Sequence, residues 1–456
     1  MQTQIFTAHK RHLGLRAPTV LALGFALTIL VGALVLMLPV SAADEQITPF
    51  LDALFTAASA SCVTGLVTVS TAVHWSVFGK CVILLLIQIG GLGFMSVAAI
   101  ASFVLRRTIT LHERMVMSAG LNLPDGGGIV RLTRRVLFGT FIIEGAGAVL
   151  LSCRFVPHYG FPKGIKMGVF HAVSAFCNAG FDLMGTPDDP FQSLIGWAED
   201  PLVNITVMAL IVLGGLGFFV WSDVWDKHSF CRLRLHTKIV LTATAGLLLF
   251  GFGWTLLFEW SNPATLGAFD TPHKLLAAAF ESVTLRTAGF NTIDLGALTG
   301  PSQAVSCLLM FIGGSPGSTA GGIKTVTAAV LVLTAISAFC GRTTVSAFGR
   351  TIAPRSIMNA VTLLMAGGVL CLVGACAIAG IEDAPFHQCL FEAVSAFGTV
   401  GVSMGLTPTL SAASRVILIV MMYMGRVGVL TLGVAVFMRR REPPRLKYPD
   451  ADVFIG

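Results

Sequence analysis

Phe170-His171-Ala172-Val173-Ser174-Ala175-Phe176-Cys177-Asn178-Ala179-Gly180-Phe181 returns further along the chain as Phe391-Glu392-Ala393-Val394-Ser395-Ala396-Phe397-Gly398-Thr399-Val400-Gly401-Val402. Two fainter copies read Ser61-Cys62-Val63-Thr64-Gly65-Leu66 and Leu285-Arg286-Thr287-Ala288-Gly289-Phe290. The shared glycines are Gly65, Gly180, Gly289 and Gly401, at steps of 115, 109 and 112 residues. In three copies a phenylalanine (Phe55, Phe170, Phe391) stands ten residues before the glycine; Phe280 stands nine before Gly289. Each motif fills a weakly polar dip between two long apolar runs. A fourfold helix–dip–helix repeat suggests a pore ringed by four glycine loops, whose carbonyls can replace the water around an ion. Plain surface turns would need no matching short helix at constant spacing.

Composition sets the medium. The 456 residues are 55% hydrophobic and 12% charged, about half the charge of a soluble domain. The 49 glycines suit helices packed in a bilayer, where small residues let backbones approach. Long apolar runs without a polar face exclude a soluble fold. The net charge of +7 does not mark a nucleic-acid binder, because the basic residues are dispersed between apolar runs. The ten cysteines form no CxxC pair and read as buried small hydrophobes. His112-Glu113 lacks a second histidine, so no zincin motif exists. The apolar run Ala17–Val40 follows Lys10, Arg11 and Arg16 but exceeds a signal-peptide core, and it reads as a retained spanning helix.

The expected fold is an all-α polytopic membrane protein of four membrane-pore-membrane repeats. Eight spanning helices are expected near 18–40, 76–104, 134–153, 201–221, 237–258, 302–335, 356–380 and 411–438. Four re-entrant pore helices, near 48–62, 165–178, 272–285 and 385–398, are too short to cross. The division expected is a tail at 1–17, repeats at 18–104, 105–221, 222–340 and 341–438, and a tail at 439–456. A glycine mark recurs in each second helix, beginning at Gly90, Gly214, Gly313 and Gly425, which is 25, 34, 24 and 24 residues after the loop glycine. In the first two repeats it reads as an ordinary packing seam.

Basic residues fall between repeats (Arg106, Arg107, Arg114, Arg131, Arg134, Arg135; Lys227, Arg232, Arg234, Lys238; Arg342, Arg350, Arg355) and in the tail from Arg439 to Lys447. The positive-inside rule makes these cytoplasmic, with both termini, and turns the glycine loops outward. Asp44, Glu45, Asp188, Asp189, Glu382 and Asp383 would then form an acidic outer vestibule. Arg154, Lys163 and Lys166 break the pattern.

Three departures from fourfold symmetry stand out. Gly313-Gly314-Ser315-Pro316-Gly317-Ser318-Thr319-Ala320-Gly321-Gly322-Ile323-Lys324-Thr325 interrupts the second helix of repeat three. Five glycines and a proline cannot stay helical there, so the segment is expected to line a cavity and obstruct the pore, with Lys324 able to reach water. Ile323 separates Gly322 from Lys324, which excludes a phosphate-binding GxxxxGK loop. Arg426 lies in the last apolar run and would either hold the carbonyls of that segment or pair with a carboxylate such as Glu144. Arg286 is expected to point behind the loop toward Glu281 or Glu392. No nucleophile–base pair or metal constellation lies at common depth, so an enzyme is not expected.

With its VTGL, NAGFDLMG, RTAGFNTID and GTVGVSMGLT loops, its GGSPGSTAGGIKT segment and Arg426, the chain resembles the Trk/Ktr/HKT superfamily of K⁺ transporters over residues 18–456, and most of all the Ktr-type membrane subunit. The resemblance implies K⁺ uptake across a bacterial inner membrane, with K⁺ as the transported ion and Na⁺ as a candidate activator. It implies a selectivity filter at Cys62, Val63, Thr64, Gly65; Cys177, Asn178, Ala179, Gly180; Thr287, Ala288, Gly289; and Gly398, Thr399, Val400, Gly401. Glycine at all four filter positions is associated with K⁺ selectivity. It implies a gate at Gly313, Gly314, Ser315, Pro316, Gly317, Ser318, Thr319, Ala320, Gly321, Gly322 and Lys324, with Arg426 as its barrier. It further implies a homodimer in membrane lipid, docked on a cytosolic KtrA-like ring of nucleotide-binding subunits, with no nucleic acid.

Overall fold

A computed structural model of the chain describes residues 17–93, 129–429 and 431–433. Its elements are almost all helical. In chain order they are α1 (Ala17–Leu36), α2 (Phe50–Cys62), α3 (Val77–Leu92), α4 (Ile129–Tyr159), α5 (Phe161–Phe176), α6 (Pro201–Gly215), α7 (Phe218–Lys227), α8 (Leu235–Glu259), α9 (Thr271–Thr284), α10 (Gly300–Phe311), α11 (Thr325–Phe339), α12 (Pro354–Ile381), α13 (Phe386–Gly398) and α14 (Ala412–Val427). A two-residue hairpin, Ser346–Ala347 with Arg350–Thr351, joins α11 to α12.

Among the described residues, α1, α4, α8 and α12 are long and apolar enough to cross a bilayer. They alternate with the short helices α2, α5, α9 and α13, whose inner portions are buried although the segments are only moderately apolar. Each short helix packs on the long helix before it, α2 on α1, α5 on α4, α9 on α8 and α13 on α12, and three of them pack also on the helix after, α2 on α3, α5 on α6 and α13 on α14. Each also packs on the post-loop helix of the preceding unit, α5 on α3, α9 on α6, α13 on α10 and α2 on α14. The last of these contacts joins the end of the chain to its beginning and closes the order into a ring. Asp52 on α2 and Arg415 on α14 bridge the same seam at 2.7 Å.

The second helices differ from the expectation of four long spans. The helix α3 is 16 residues and stops at Gly93, whose φ is +83°. The pair α6 and α7 bends by 92° at Gly217, so the expected continuous span 201–221 is broken. The helix α14 stops at Gly428, with φ +90°. Sixteen residues reach about 24 Å, short of the roughly 30 Å hydrocarbon core. The glycine marks therefore do more than supply packing seams. A Cβ on Gly90, Gly214 or Gly425 would fall on the carbonyl oxygen of Ser61, Phe176 or Phe397, at the C-terminal end of the short helix in the same unit. The expected boundary at residue 222 falls inside α7. The expected ends of spans 76–104 and 411–438, the 104/105 and 438/439 boundaries and both tails lie outside the described residues.

Candidate functional site

The four short helices end at the four glycine motifs. Each brings the negative end of its dipole and its last free carbonyls to the loop that follows. The backbone there turns in the same way four times. Val63, Asn178, Thr287 and Thr399 have φ of +58°, +59°, +68° and +51°, and the glycines two residues later have +98°, +67°, +83° and +95°. The residues between them, Thr64, Ala179, Ala288 and Val400, are absent from the left-handed region.

The glycines meet. A Cβ on Gly65 would lie 2.5 Å from Ala179 O and 3.1 Å from Gly180 Cα; one on Gly180, 2.6 Å from Gly289 Cα; one on Gly289, 2.7 Å from Val400 O. A Cβ on Gly401 would strike Thr64 O and lie 2.9 Å from Gly65 Cα. Four loops separated by more than a hundred residues thus close on one axis in the order of the chain. No side chain larger than hydrogen fits at these places.

Backbone bonds hold all four loops from behind, and hydroxyls brace three of them. The amides of Thr64, Ala179, Ala288 and Val400 donate to the carbonyls of Ser59, Ser174, Thr284 and Ser395 at 2.8–2.9 Å. Ser59 Oγ accepts from Gly65 N at 3.0 Å, and Ser395 Oγ accepts from Gly401 N at 3.2 Å while donating to Val402 O at 2.7 Å. Thr284 Oγ1 donates to Phe290 O at 2.5 Å. These residues were not among the sequence-based candidates. The signal was a hydroxyl six residues before each glycine, five in the shortened third loop. Further out, His171 Nε2 accepts from Leu183 N at 3.3 Å, and Glu392 accepts from Met404 N at 3.2 Å and from Thr407 Oγ1 at 2.6 Å. Both sit one place after the repeated phenylalanine, and both hold the outgoing strand of their loop.

Cys62 and Cys177 are fully buried. Cys177 packs into the space left by Gly91, with its Sγ 3.6 Å from Gln88 Oε1. Their side chains fill gaps behind the loops. Asp44, Glu45, Asp188, Asp189 and Asp383 are exposed. The hydroxyl of Ser411, with Ser414 and the Ser411 amide, holds the Glu382 carboxyl below its usual range, so it stays charged as pH falls below neutral.

On the other side of the glycine ring lies Ile312–Lys324, which separates α10 from α11. Its amides at Ser315 and Thr319 donate to Gly215 O and Gly214 O at 3.0 and 3.3 Å, and Phe218 N donates to Gly317 O at 2.9 Å. The segment is therefore clasped by the break between α6 and α7. Thr319 Oγ1 donates to Phe176 O at 3.2 Å and lies 3.3 Å from the Asn178 amide. A Cβ on Gly322 would be 3.1 Å from Gly398 O. The loop thus lies directly against two of the glycine motifs.

Arg426 donates through Nη1 to Thr319 O and through Nη2 to Gly90 O and Gly91 O. It ties the loop to the end of α3 and makes no pair with Glu144, which takes a hydrogen bond from Gln88 instead. Lys324 does not extend outward: its Nζ turns back to Ala320 O at 2.7 Å and Gly321 O at 3.3 Å. Arg286 does not pair with Glu281 or Glu392. Its Nη2 donates to Gly313 O at 3.1 Å and Thr325 Oγ1 at 2.7 Å. The physical reason is the break itself, which leaves Gly313 O without a helical partner. Beyond the loop a cavity of about 560 Å³ opens, lined by Gly91, Gly93, Pro316, Lys324 and Arg426 among others.

Residues 6–442 match the family model described as TrkH, cation transport protein. The chain belongs to this family. Similar proteins include the Ktr system potassium uptake protein B of Bacillus subtilis, 42% identical over 96% of both chains. The potassium/sodium uptake protein NtpJ of Enterococcus hirae is 40% identical over 96% of both chains. The Ktr system potassium uptake protein B of Vibrio alginolyticus is 38% identical over 96% of this chain and 95% of its own. Among solved structures, the potassium transporter TrkH from Vibrio parahaemolyticus superposes with a TM-score of 0.70 at 17% identity, over 94% of this chain and 86% of that one, which shows a shared fold. The chain is a membrane protein of a cation-transport family, and its relatives are transporters rather than enzymes.

Proposed function

We propose that this chain is the ion-translocating subunit of a Ktr-type potassium uptake system in a bacterial inner membrane. The observation that carries this reading is the meeting of Gly65, Gly180, Gly289 and Gly401 on one axis. Four loops with side-chain-free glycines expose backbone carbonyls to a shared path, where they exchange for the hydration shell of K⁺. The four helix C-termini aimed at the ring favour a cation there. The acidic rim concentrates K⁺ outside, and the membrane potential draws it inward with about 2.3 kcal/mol per charge per 100 mV.

Residues 313–325 act as the gate in this reading. Arg426 holds the loop across the path and places a fixed positive charge below the filter. The basic segments between units put both termini in the cytoplasm. The names of two relatives, each a Ktr system protein, support a regulatory partner, here a cytosolic KtrA-like nucleotide-binding ring on a homodimer. Na⁺ would be an activator rather than the cargo. The name of the NtpJ relative, a potassium/sodium uptake protein, favours a second reading in which Na⁺ is also carried.

Radioactive rubidium uptake into proteoliposomes holding the purified full chain, with Na⁺ as competitor, tests the proposal. Rubidium influx that excess Na⁺ does not suppress supports K⁺ selectivity. Suppression by equimolar Na⁺ supports the second reading. No flux of either ion from well-folded protein, with no rescue of a K⁺-uptake-deficient strain, rejects both.

A further inference from the structure

Arg286 is the side chain that the fourfold pattern leaves unexplained. It stands three residues before Gly289, and the matching places hold Cys62, Cys177 and Gly398. Those residues are small because another helix passes close behind. Cys177 fills the space at Gly91, and a Cβ on Gly398 would lie 2.5 Å from Met310 O. In the third unit the helix is interrupted, and a long side chain occupies the opening.

Its acceptors are at both ends of the interruption. Gly313 O begins the loop and Thr325 Oγ1 ends it, and Arg286 Nη2 reaches each. The two ends are also bonded to each other. Gly313 N donates to Ile323 O at 2.8 Å, Thr325 N to Gly314 O at 3.0 Å, and Thr325 Oγ1 to Gly313 O at 2.9 Å. Together they form a closed neck. Contacts of the tip, Ser315–Gly322, run to Gly214 and Gly215, to Phe176 and Asn178, to Gly398 and Thr399 of the fourth glycine loop and to Arg426. Among the described residues no carboxylate lies within ion-pair distance of Arg286, which is 7% exposed. A buried guanidinium held only by neutral acceptors depends heavily on each of them.

Resting on the reading of residues 313–325 as a gate, we propose that Arg286 is a positioning residue that holds the neck of this loop against the third glycine loop. The loop then opens by displacing its tip about a fixed neck. Because Thr287, Ala288 and Gly289 follow Arg286 directly, loss of the neck contact disturbs ion preference as well as gating. Loss of the Arg426 contact, which joins Thr319 O to Gly90 O and Gly91 O, disturbs gating alone.

The test is rubidium influx and rubidium-over-sodium preference in proteoliposomes for the full chain and four variants: Arg426→Ala, Arg286→Ala, Thr325→Val and the double Arg286→Ala/Thr325→Val. The expected result for Arg426→Ala is raised influx with unchanged preference. Arg286→Ala raises influx and lowers the preference by about tenfold, as loss of hydrogen bonds to a charged group allows. Thr325→Val shifts both in the same direction by less, and the double variant is no worse than Arg286→Ala, because the two side chains act through one contact. Altered influx with intact preference in Arg286→Ala, or multiplicative effects in the double, overturns the proposal. If Arg286→Ala does not yield folded protein, Thr325→Val and Arg286→Lys decide it: both must shift preference, and neither doing so overturns it. Unchanged influx in every variant, Arg426→Ala included, rejects the gate reading itself.

Discussion

At the glycine ring, the tolerance for extra atoms is close to zero. Gly65 combines φ +98° with a neighbouring carbonyl 2.5 Å from where a Cβ would sit, so any L side chain strains both the loop and the adjoining one. Gly65→Ser is expected to lower rubidium-over-sodium preference, measured by Na⁺ competition of influx; an unchanged preference would refute the assignment. Gly214 meets the same limit from the helix side, since a Cβ there would strike Phe176 O. Gly214→Ala should cost about 1–3 kcal/mol and lower the thermal midpoint of the detergent-solubilised protein. Equal midpoints would mean the helices part easily. The candidate glycines were readable from their own repetition. The bracing serines were readable only in retrospect, because a lone hydroxyl in a short helix has many uses. The partners of Arg286 were not readable, since the acceptors are backbone atoms exposed by a break elsewhere in the chain.

The broken helices follow from local composition and from close packing together. Five glycines and Pro316 cannot sustain α10 into α11, and that interruption was legible in the chain. The breaks at Gly93, Gly217 and Gly428 were not, because apolar residues continue on both sides and hydropathy cannot distinguish a bent span from a straight one. What fixes them is a positive φ at the glycine and the carbonyl pressed against Gly90, Gly214 and Gly425. At this scale the proposed gate is the loop between α10 and α11. Deleting Gly314–Gly321 should raise rubidium influx several-fold, because the deletion removes the tip that touches Gly214, Gly215 and Arg426. A fall in influx, with a normal size-exclusion profile, would mean that the segment helps conduct ions rather than blocking them.

The whole molecule is a cycle built from one chain, and its closure rests on α2 against α14 and on the Asp52–Arg415 bridge. The alternation of long and short helices was legible because the sequence repeats a long apolar run, a shorter segment, a glycine motif and a glycine mark. The order of packing around the ring was not, because helix neighbours depend on which surfaces face each other. The exposed acidic rim predicts a field effect. Asp188→Asn/Asp189→Asn should lower influx about twofold at low ionic strength and leave it unchanged at high salt, read by initial rates in choline-balanced buffers. Equal rates at both ionic strengths would remove the vestibule from the account. The most direct test of the central claim is a crystal structure grown with thallium(I) in place of K⁺. The account predicts anomalous density on the axis between Gly65, Gly180, Gly289 and Gly401, in reach of the carbonyls of Thr64, Ala179, Ala288 and Val400. Thallium bound elsewhere, with the glycine axis empty in protein that still transports rubidium, would contradict it.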